Sequence, residues 1–195
     1  MSSSSIDYPE ETIRELSSHI EAIMRLLGED PAREGLRKTP VRAAKALYYI
    51  TDGYRHTPEE VVGDALFTTE GNRMIIVRDI EFYSMCEHHI LPFFGHISVG
   101  YIPNGKIIGL SKIARLVNLY ARRLQVQERL TAEIVGAVAR ATGSESVIAI
   151  ARGEHLCMKM RGVESQDSST VTTEYTGAFA TDASLRLEFM ESIRK

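Results

Sequence analysis

Phe93-Phe94-Gly95-His96-Ile97-Ser98-Val99-Gly100-Tyr101-Ile102, then Pro103-Asn104-Gly105 and Lys106-Ile107-Ile108, is the stretch on which the fold turns. Its β-branched and aromatic residues favour extended chain and Pro-Asn-Gly is turn chemistry, so a strand over 93–102, a turn and a short strand over 106–108 are expected. Upstream, 74–77 and 80–83 read as further strands. Downstream, 147–151, 155–160 and 170–175 do the same. Between the two groups lie two helical patterns. Ser111 is the expected cap of the first, which carries Ile113, Leu116, Val117 and Tyr120, and the second starts near Gln127 with Leu130, Ile134 and Val138 on one face. Residues 181–193 read as a closing amphipathic helix. Strands grouped around a central helical pair indicate an α+β fold with a mainly antiparallel sheet, not a doubly wound one.

Ahead of this block the pattern is helical. Ile13, Leu16, Ile20, Ile23, Met24 and Leu27 recur at helical spacing and Gly28 is placed to end that helix. Thr39-Pro40 supplies an expected N-cap and a first-turn proline for a second helix with Val41, Ala44, Leu47 and Tyr48. The organisation expected is a disordered tail over 1–8, a helical region over 9–64 and a main domain over 65–195.

The chain has 195 residues, 44% hydrophobic and 25% charged, with 23 basic against 26 acidic side chains for a net charge of -3. That length buries a sizeable core without disulfides or structural metal, so a metal here points to chemistry. The mild acidity disfavours a general nucleic-acid or membrane binder, and any anion site must be local. No apolar run reaches the ~18 residues of a membrane span, and the first eight residues lack the charged start and apolar stretch of a signal peptide, so a cytoplasmic protein is expected. Two cysteines are too few for a disulfide framework.

Those cysteines sit among histidines. In Cys86-Glu87-His88-His89 the first and last residues are spaced so that a tight turn brings a thiol and an imidazole to one ion. In His155-Leu156-Cys157, an i, i+2 pair on a strand would point to one face. A Cys/His/Cys ligand set leaves one tetrahedral position for water, the pattern of catalytic zinc. Against this stand two plainer readings, inert buried thiols or a single disulfide.

From His88 to Gln127 no acidic residue occurs, while Lys106, Lys112, Arg115, Arg122 and Arg123 do. The centre of that positive stretch, Gly109-Leu110-Ser111-Lys112-Ile113-Ala114-Arg115, places glycine before a helix N-terminus, which suits a phosphate as well as an ordinary cap and a solvated face. It is not a Walker A loop. Glu128, which ends the stretch, fits two adjacent N–H donors such as those on a guanine edge, or is a surface glutamate. Arg161 is placed for anionic oxygens or for a surface ion pair.

With these residues assembled, the chain resembles the GTP cyclohydrolase I family, the type I zinc enzymes that open the pteridine pathway. The segments that carry the resemblance are 38–45 (KTPVRAAK), 86–89 (CEHH) with Pro92-Phe93, 99–103 (VGYIP), 109–112 (GLSK), 123–131 (RLQVQERLT), and 155–158 (HLCM) with Arg161-Gly162. The resemblance implies Zn2+ held by Cys86, His89 and Cys157, with His88 and His155 as catalytic histidines. It implies that Glu128 anchors guanine and that Ser111, Lys112, Arg115 and Arg161 hold the triphosphate, with Arg42 and Lys45 as a further phosphate pair. It also implies a tunnelling fold whose catalytic domain is 65–195, assembled as a homodecamer of two pentameric rings with active sites between subunits. The implied reaction converts GTP and water to formate and 7,8-dihydroneopterin triphosphate, the first step of tetrahydrofolate and pterin synthesis. A zinc nucleobase deaminase would instead show His-x-Glu and Pro-Cys-x-x-Cys, and neither is present.

Overall fold

The computed structural model describes residues 7–194, so most of the tail expected over 1–8 lies outside the described residues. The chain divides into two compact units, Met1–Asp52 and Gly53–Lys195. In the first, α1 (Glu10–Leu26) packs on α2 (Thr39–Ile50). The turn after α1 uses Gly28 at φ +89°, a left-handed conformation that glycine adopts without a Cβ penalty. Thr39 is the first helical residue of α2 rather than its cap; Lys38 holds the cap position without a side-chain bond. Pro40 stays in the first turn, where its missing N–H costs nothing.

The second unit contains α3 (Pro58–Val62), β1 (Leu66–Thr68), β2 (Ile75–Cys86), β3 (Pro92–Tyr101), β4 (Lys106–Ile108), α4 (Leu110–Ala121), β5 (Leu124–Gln125) and α5 (Gln127–Thr142). After these come β6 (Val147–His155), α6 (Leu156–Lys159), β7 (Thr170–Tyr175), α7 (Ala178–Thr181) and α8 (Ala183–Ile193). The main sheet runs β5-β2-β3-β6-β7, antiparallel except for the parallel β2/β5 bridge. Strand β4 pairs with β1 in a separate two-stranded sheet, not with β3.

Three expected boundaries change for physical reasons. The segments 74–77 and 80–83 are one strand, interrupted by a register shift between Val77 and Ile80 where Asp79 takes φ +56° and donates its N–H to Ser98 Oγ (3.2 Å). Strand β6 continues past residue 151 and ends at His155, so Cys157 lies on the helical turn α6 and the expected i, i+2 strand pair does not exist. Ser111 is not the cap of α4. Gly109 is, because its N–H is tied to Ala65 O (3.0 Å) and its carbonyl accepts from Lys112 N (2.8 Å), which starts the helix two residues earlier.

Alternation along the strands gives the sheet two apolar faces. Phe82, Phe93, Ile97, Val99, Ala149 and Ala151 are buried in one cluster with Ile113, Leu116, Val117 and Tyr120 of α4 and Leu130, Ile134 and Val138 of α5. On the other face Ile148 and Ile150 form a smaller cluster with Phe179 and Phe189. A Cβ on Gly100 would come within 2.8 Å of the Phe189 ring, so this strand glycine is what seats α8. Burying a phenylalanine fully is worth about 1.5–3 kcal/mol, which makes Phe189 the main anchor of the last helix.

Candidate metal and nucleotide site

Cys86 is the last residue of β2 and is buried. A tight turn follows it. Ile90 N donates to Cys86 O (2.8 Å), Cys86 N donates to Leu91 O (2.8 Å), and Ile90 sits at φ +53°, an unusual state for a β-branched residue. The turn brings His89 Nδ1 to 3.7 Å from Cys86 Sγ. From the neighbouring ends of β6 and α6 comes half-buried Cys157, and the ligand atoms of Cys86, His89 and Cys157 all lie within 4.8 Å of one another.

The donor set fits a tetrahedral, borderline-soft ion. Zn–S near 2.3 Å and Zn–N near 2.0–2.1 Å at a tetrahedral angle require an S···N edge of about 3.6 Å, close to the separation found. The electrostatics agree. Burial pushes the Cys157 thiol up, the Cys86 sulfur beside it pushes further, and Arg161 pulls back only weakly. A crowded thiol that resists ionising, as Cys157 does, is what a divalent cation relieves, since a coordinated thiol gives up its proton.

His155, at the end of β6, stacks on Phe93 with ring centroids 4.6 Å apart and planes 5° from parallel. Its Nε2 is 2.9 Å from Gln127 Oε1. The roles in that bond follow from the other end of the amide: Gln127 Nε2 donates to Ala151 O (3.2 Å), Thr170 O (3.0 Å) and Thr172 Oγ1 (3.2 Å). Oε1 therefore faces the histidine and accepts, so His155 carries its proton on Nε2 and keeps Nδ1 as the basic nitrogen. Burial lowers the His155 pKa, against an opposing pull from the Glu128 carboxylate. The ring is therefore uncharged at neutral pH.

The other expected residues fall into three places. Exposed His88 follows Cys86 in the same turn, its ring edge-on to His89 with centroids 6.1 Å apart. Arg161 Nη1 lies 3.2 Å from His89 Nε2, an approach that a guanidinium makes only to an unprotonated nitrogen. Glu128 is exposed in the first turn of α5, close enough to act on His155. Cys86, His88, His89, Glu128, His155, Cys157 and Arg161 thus gather where β2 and β6 end.

Ser111, Lys112 and Arg115 do not join them. Helix α4 starts beside Tyr101, whose hydroxyl accepts from Ile108 N (3.2 Å), and Tyr101 pairs with Ile75 at the start of β2. It ends at β5, which pairs with Met85 and Cys86. Its 12 residues span roughly 17 Å, so the N-terminus of α4 and the Cys/His/Cys group occupy opposite ends of one sheet. Ser111 and Arg115 are exposed there, while Lys112 Nζ donates to Val61 O (2.9 Å). Arg42 and Lys45 lie in the first unit, three residues apart on α2, with the Lys45 ammonium 5.3 Å from the Tyr8 ring centroid.

Sequence reasoning missed Gln127 and Phe93 as the orienting partners of His155. Gln127 stood at an expected helix start and within the 123–131 segment, but nothing in its spacing announces a contact 28 residues away. Gly153 was an available clue. A Cβ there would come within 2.5 Å of Gln127 Oε1, so a glycine inside a strand marks a close approach.

Comparison with known proteins bears on most of the chain. The family pattern described as GTP cyclohydrolase I matches residues 16–194. GTP cyclohydrolase 1 2 of Pseudomonas aeruginosa is 51% identical over 179 residues, covering 92% of this chain and 99% of that protein. GTP cyclohydrolase 1 of Pseudoalteromonas translucida is 52% identical over 180 residues, covering 92% and 98%. That of Deinococcus radiodurans is 54% identical over 168 residues, covering 86% and 78%. With a Cys/His/Cys group able to hold a metal, a half-buried oriented histidine and an α+β antiparallel sheet already in place, these matches establish that the chain belongs to the GTP cyclohydrolase I family.

Proposed function

We propose that this chain hydrolytically opens the imidazole ring of GTP, releasing formate and giving 7,8-dihydroneopterin triphosphate, the entry step to tetrahydrofolate and other pterins. The observation that carries the reading is the convergence of Cys86, His89 and Cys157 beside His155 and Glu128 in a member of this family. The catalytic part is the tunnelling-fold domain over 65–195, with the helical region over 9–64 as its extension.

Cys86, His89 and Cys157 hold Zn2+ in this account. When bound, zinc supplies Lewis acidity and activates water at neutral pH. With His89 Nδ1 given to the ion, Nε2 carries the proton, and Arg161, itself only a donor, turns to a phosphate oxygen instead. Glu128 accepts the adjacent N–H groups of the guanine edge and fixes the base so that C8 meets the site. His155, uncharged and held through Nε2–H, takes at Nδ1 the proton that water loses on adding to C8 and gives it to guanine N7. His88, exposed on its turn, serves the later proton transfers of ring opening and sugar rearrangement. Ser111, Lys112 and Arg115, with Arg42 and Lys45, bind the triphosphate; Lys112 exchanges Val61 O for phosphate in doing so.

The separation along α4 supports an assembly in which the anion residues of one subunit serve the metal end of another. Open strand edges support ring closure. Strand β7 is the last in its sheet, and β2 ahead of Met85 has β3 on one side only among the described residues. A homodecamer of two pentameric rings satisfies both. No helix among the described residues is long and apolar enough to cross a membrane, and we place the enzyme in the cytoplasm.

The test is incubation of zinc-loaded protein with GTP, scoring formate and, after oxidation, neopterin fluorescence, with a chelator-treated control. Chelator-sensitive formation of both products is expected. Neither product from folded, zinc-loaded protein would overturn the assignment.

A further inference from the structure

The turn that carries His89 is strained and short, so something must hold it in ligating shape before the ion arrives. Ile90 at φ +53° holds a conformation that a β-branched residue adopts rarely, and such states persist only where their surroundings over-determine them. The backbone bonds around Cys86 supply part of that. A second hold comes from Glu87, the residue between the thiol and the histidines. Its N–H donates to Gln125 O (3.0 Å) and its carboxylate accepts from Arg129 Nη2.

Arg129 is itself seated. Nε donates to Gln125 Oε1 (2.9 Å) and Nη2 also donates to Leu124 O (3.0 Å). Gln125 is only 1% exposed and its amide is fully used, with Nε2 donating to Tyr120 O (3.1 Å) and Glu133 Oε2 (2.6 Å). A buried side chain with every polar atom bonded cannot swing, so the guanidinium rests on a rigid base. Strand β5 is only two residues long, yet through Cys86↔Gln125 it is bonded to the very end of β2. Arg129 and Gln125 thus clamp the metal turn by backbone and side chain at once.

We propose that Arg129 is a positioning residue for the metal centre: with Gln125 beneath it, it holds Glu87 and thereby keeps Cys86 and His89 in ligating geometry. The proposal rests on the reading of Cys86, His89 and Cys157 as a metal site. It predicts that Arg129 acts on metal affinity through Glu87, without touching substrate. Partners one step removed from the ligands commonly change metal affinity by about 10–100-fold when lost.

The experiment is a zinc dissociation constant, by competition with a chromophoric chelator, for purified wild-type protein, Arg129→Ala, Glu87→Gln, the double variant and Cys157→Ser. Circular dichroism and cooperative melting of each metal-free protein identify variants that fold. Expected is a zinc constant weakened about 10–100-fold in each single variant, with the double no weaker than the worse single, because one interaction is being removed. Cobalt(II) in Arg129→Ala should show a shifted ligand-field spectrum, which loss of global stability alone would not produce. Zinc binding within twofold of wild type in both single variants would overturn the proposal. So would unchanged zinc binding with a raised KM for GTP in Arg129→Ala, which would place Arg129 on the substrate. If Cys157→Ser binds zinc as tightly as wild type, the metal-site reading itself fails, and the two failures are told apart.

Discussion

Gln127 Oε1 and His155 Nε2 meet at 2.9 Å across the join between α5 and β6, and the amide that makes this bond is held by three other acceptors. The pair decides which nitrogen of the histidine works. Replacing Gln127 by leucine leaves Ala151 O and Thr170 O without their donor, at a cost of about 1–3 kcal/mol, and releases the imidazole. Turnover should fall by ~10-fold or more with KM for GTP little changed. Nitrogen NMR of His155 should report a protonated Nε2 in wild type and a mixture of tautomers in Gln127→Leu.

Gly153→Ala tests the same pair from the strand side. The new Cβ would come within 2.5 Å of Gln127 Oε1, next to an amide that has no free direction to move. Overpacking of this kind costs about 1–3 kcal/mol. Chemical denaturation should show that loss, and kcat should fall along with it. Full activity in a variant with lowered stability would separate packing from catalysis and count against the role given to Gln127.

The last helix offers a pH test with a definite sign. Asp182 caps α8, and the side-chain and backbone donors of Ser184 hold its carboxyl below its ordinary value. A depressed acid stabilises the fold above its unfolded pKa and loses that contribution as pH falls through the folded value. Asp182→Ala should therefore melt below wild type at pH 7, and the gap should close as pH falls below the ordinary aspartate range. Phe189→Ala, which empties a fully buried site under the same helix, should cost about 3–5 kcal/mol at any pH.

Metal removal should be visible at the thiols. Both cysteines are free of disulfide, Cys86 buried and Cys157 half-buried. Zinc should protect both from alkylation, and chelation should allow mass spectrometry to find label at Cys157 before Cys86. Equal labelling with and without bound zinc would remove the cysteines from the ligand set.

Where side chains alternate or repeat locally, the sequence was legible. Strands β4 and β7 begin and end where expected, and α5 starts at Gln127. Legibility failed where a long-range contact sets the backbone. The Asp79 bulge reads as a break between two strands because its bond to Ser98 is made across the sheet. Strand β6 reads as two because Gly153 weakens the pattern, although the glycine is there to admit Gln127. The Cys/His/Cys group was legible from residue types and spacing, yet Cys157 reaches it from a helical turn rather than a strand face. Gln127 and Arg129 stood within the 123–131 segment with no role legible for either, since each acquires its role only when α5 is laid against β6 and β5.

The most direct test of the central claim is a zinc titration of metal-free protein, with bound zinc and GTP turnover measured on the same samples. Turnover should rise in proportion to bound zinc and level off at about one ion per chain, and Cys157→Ser should lose both together. Full turnover by folded, metal-free protein, or by Cys157→Ser without zinc, would contradict the account.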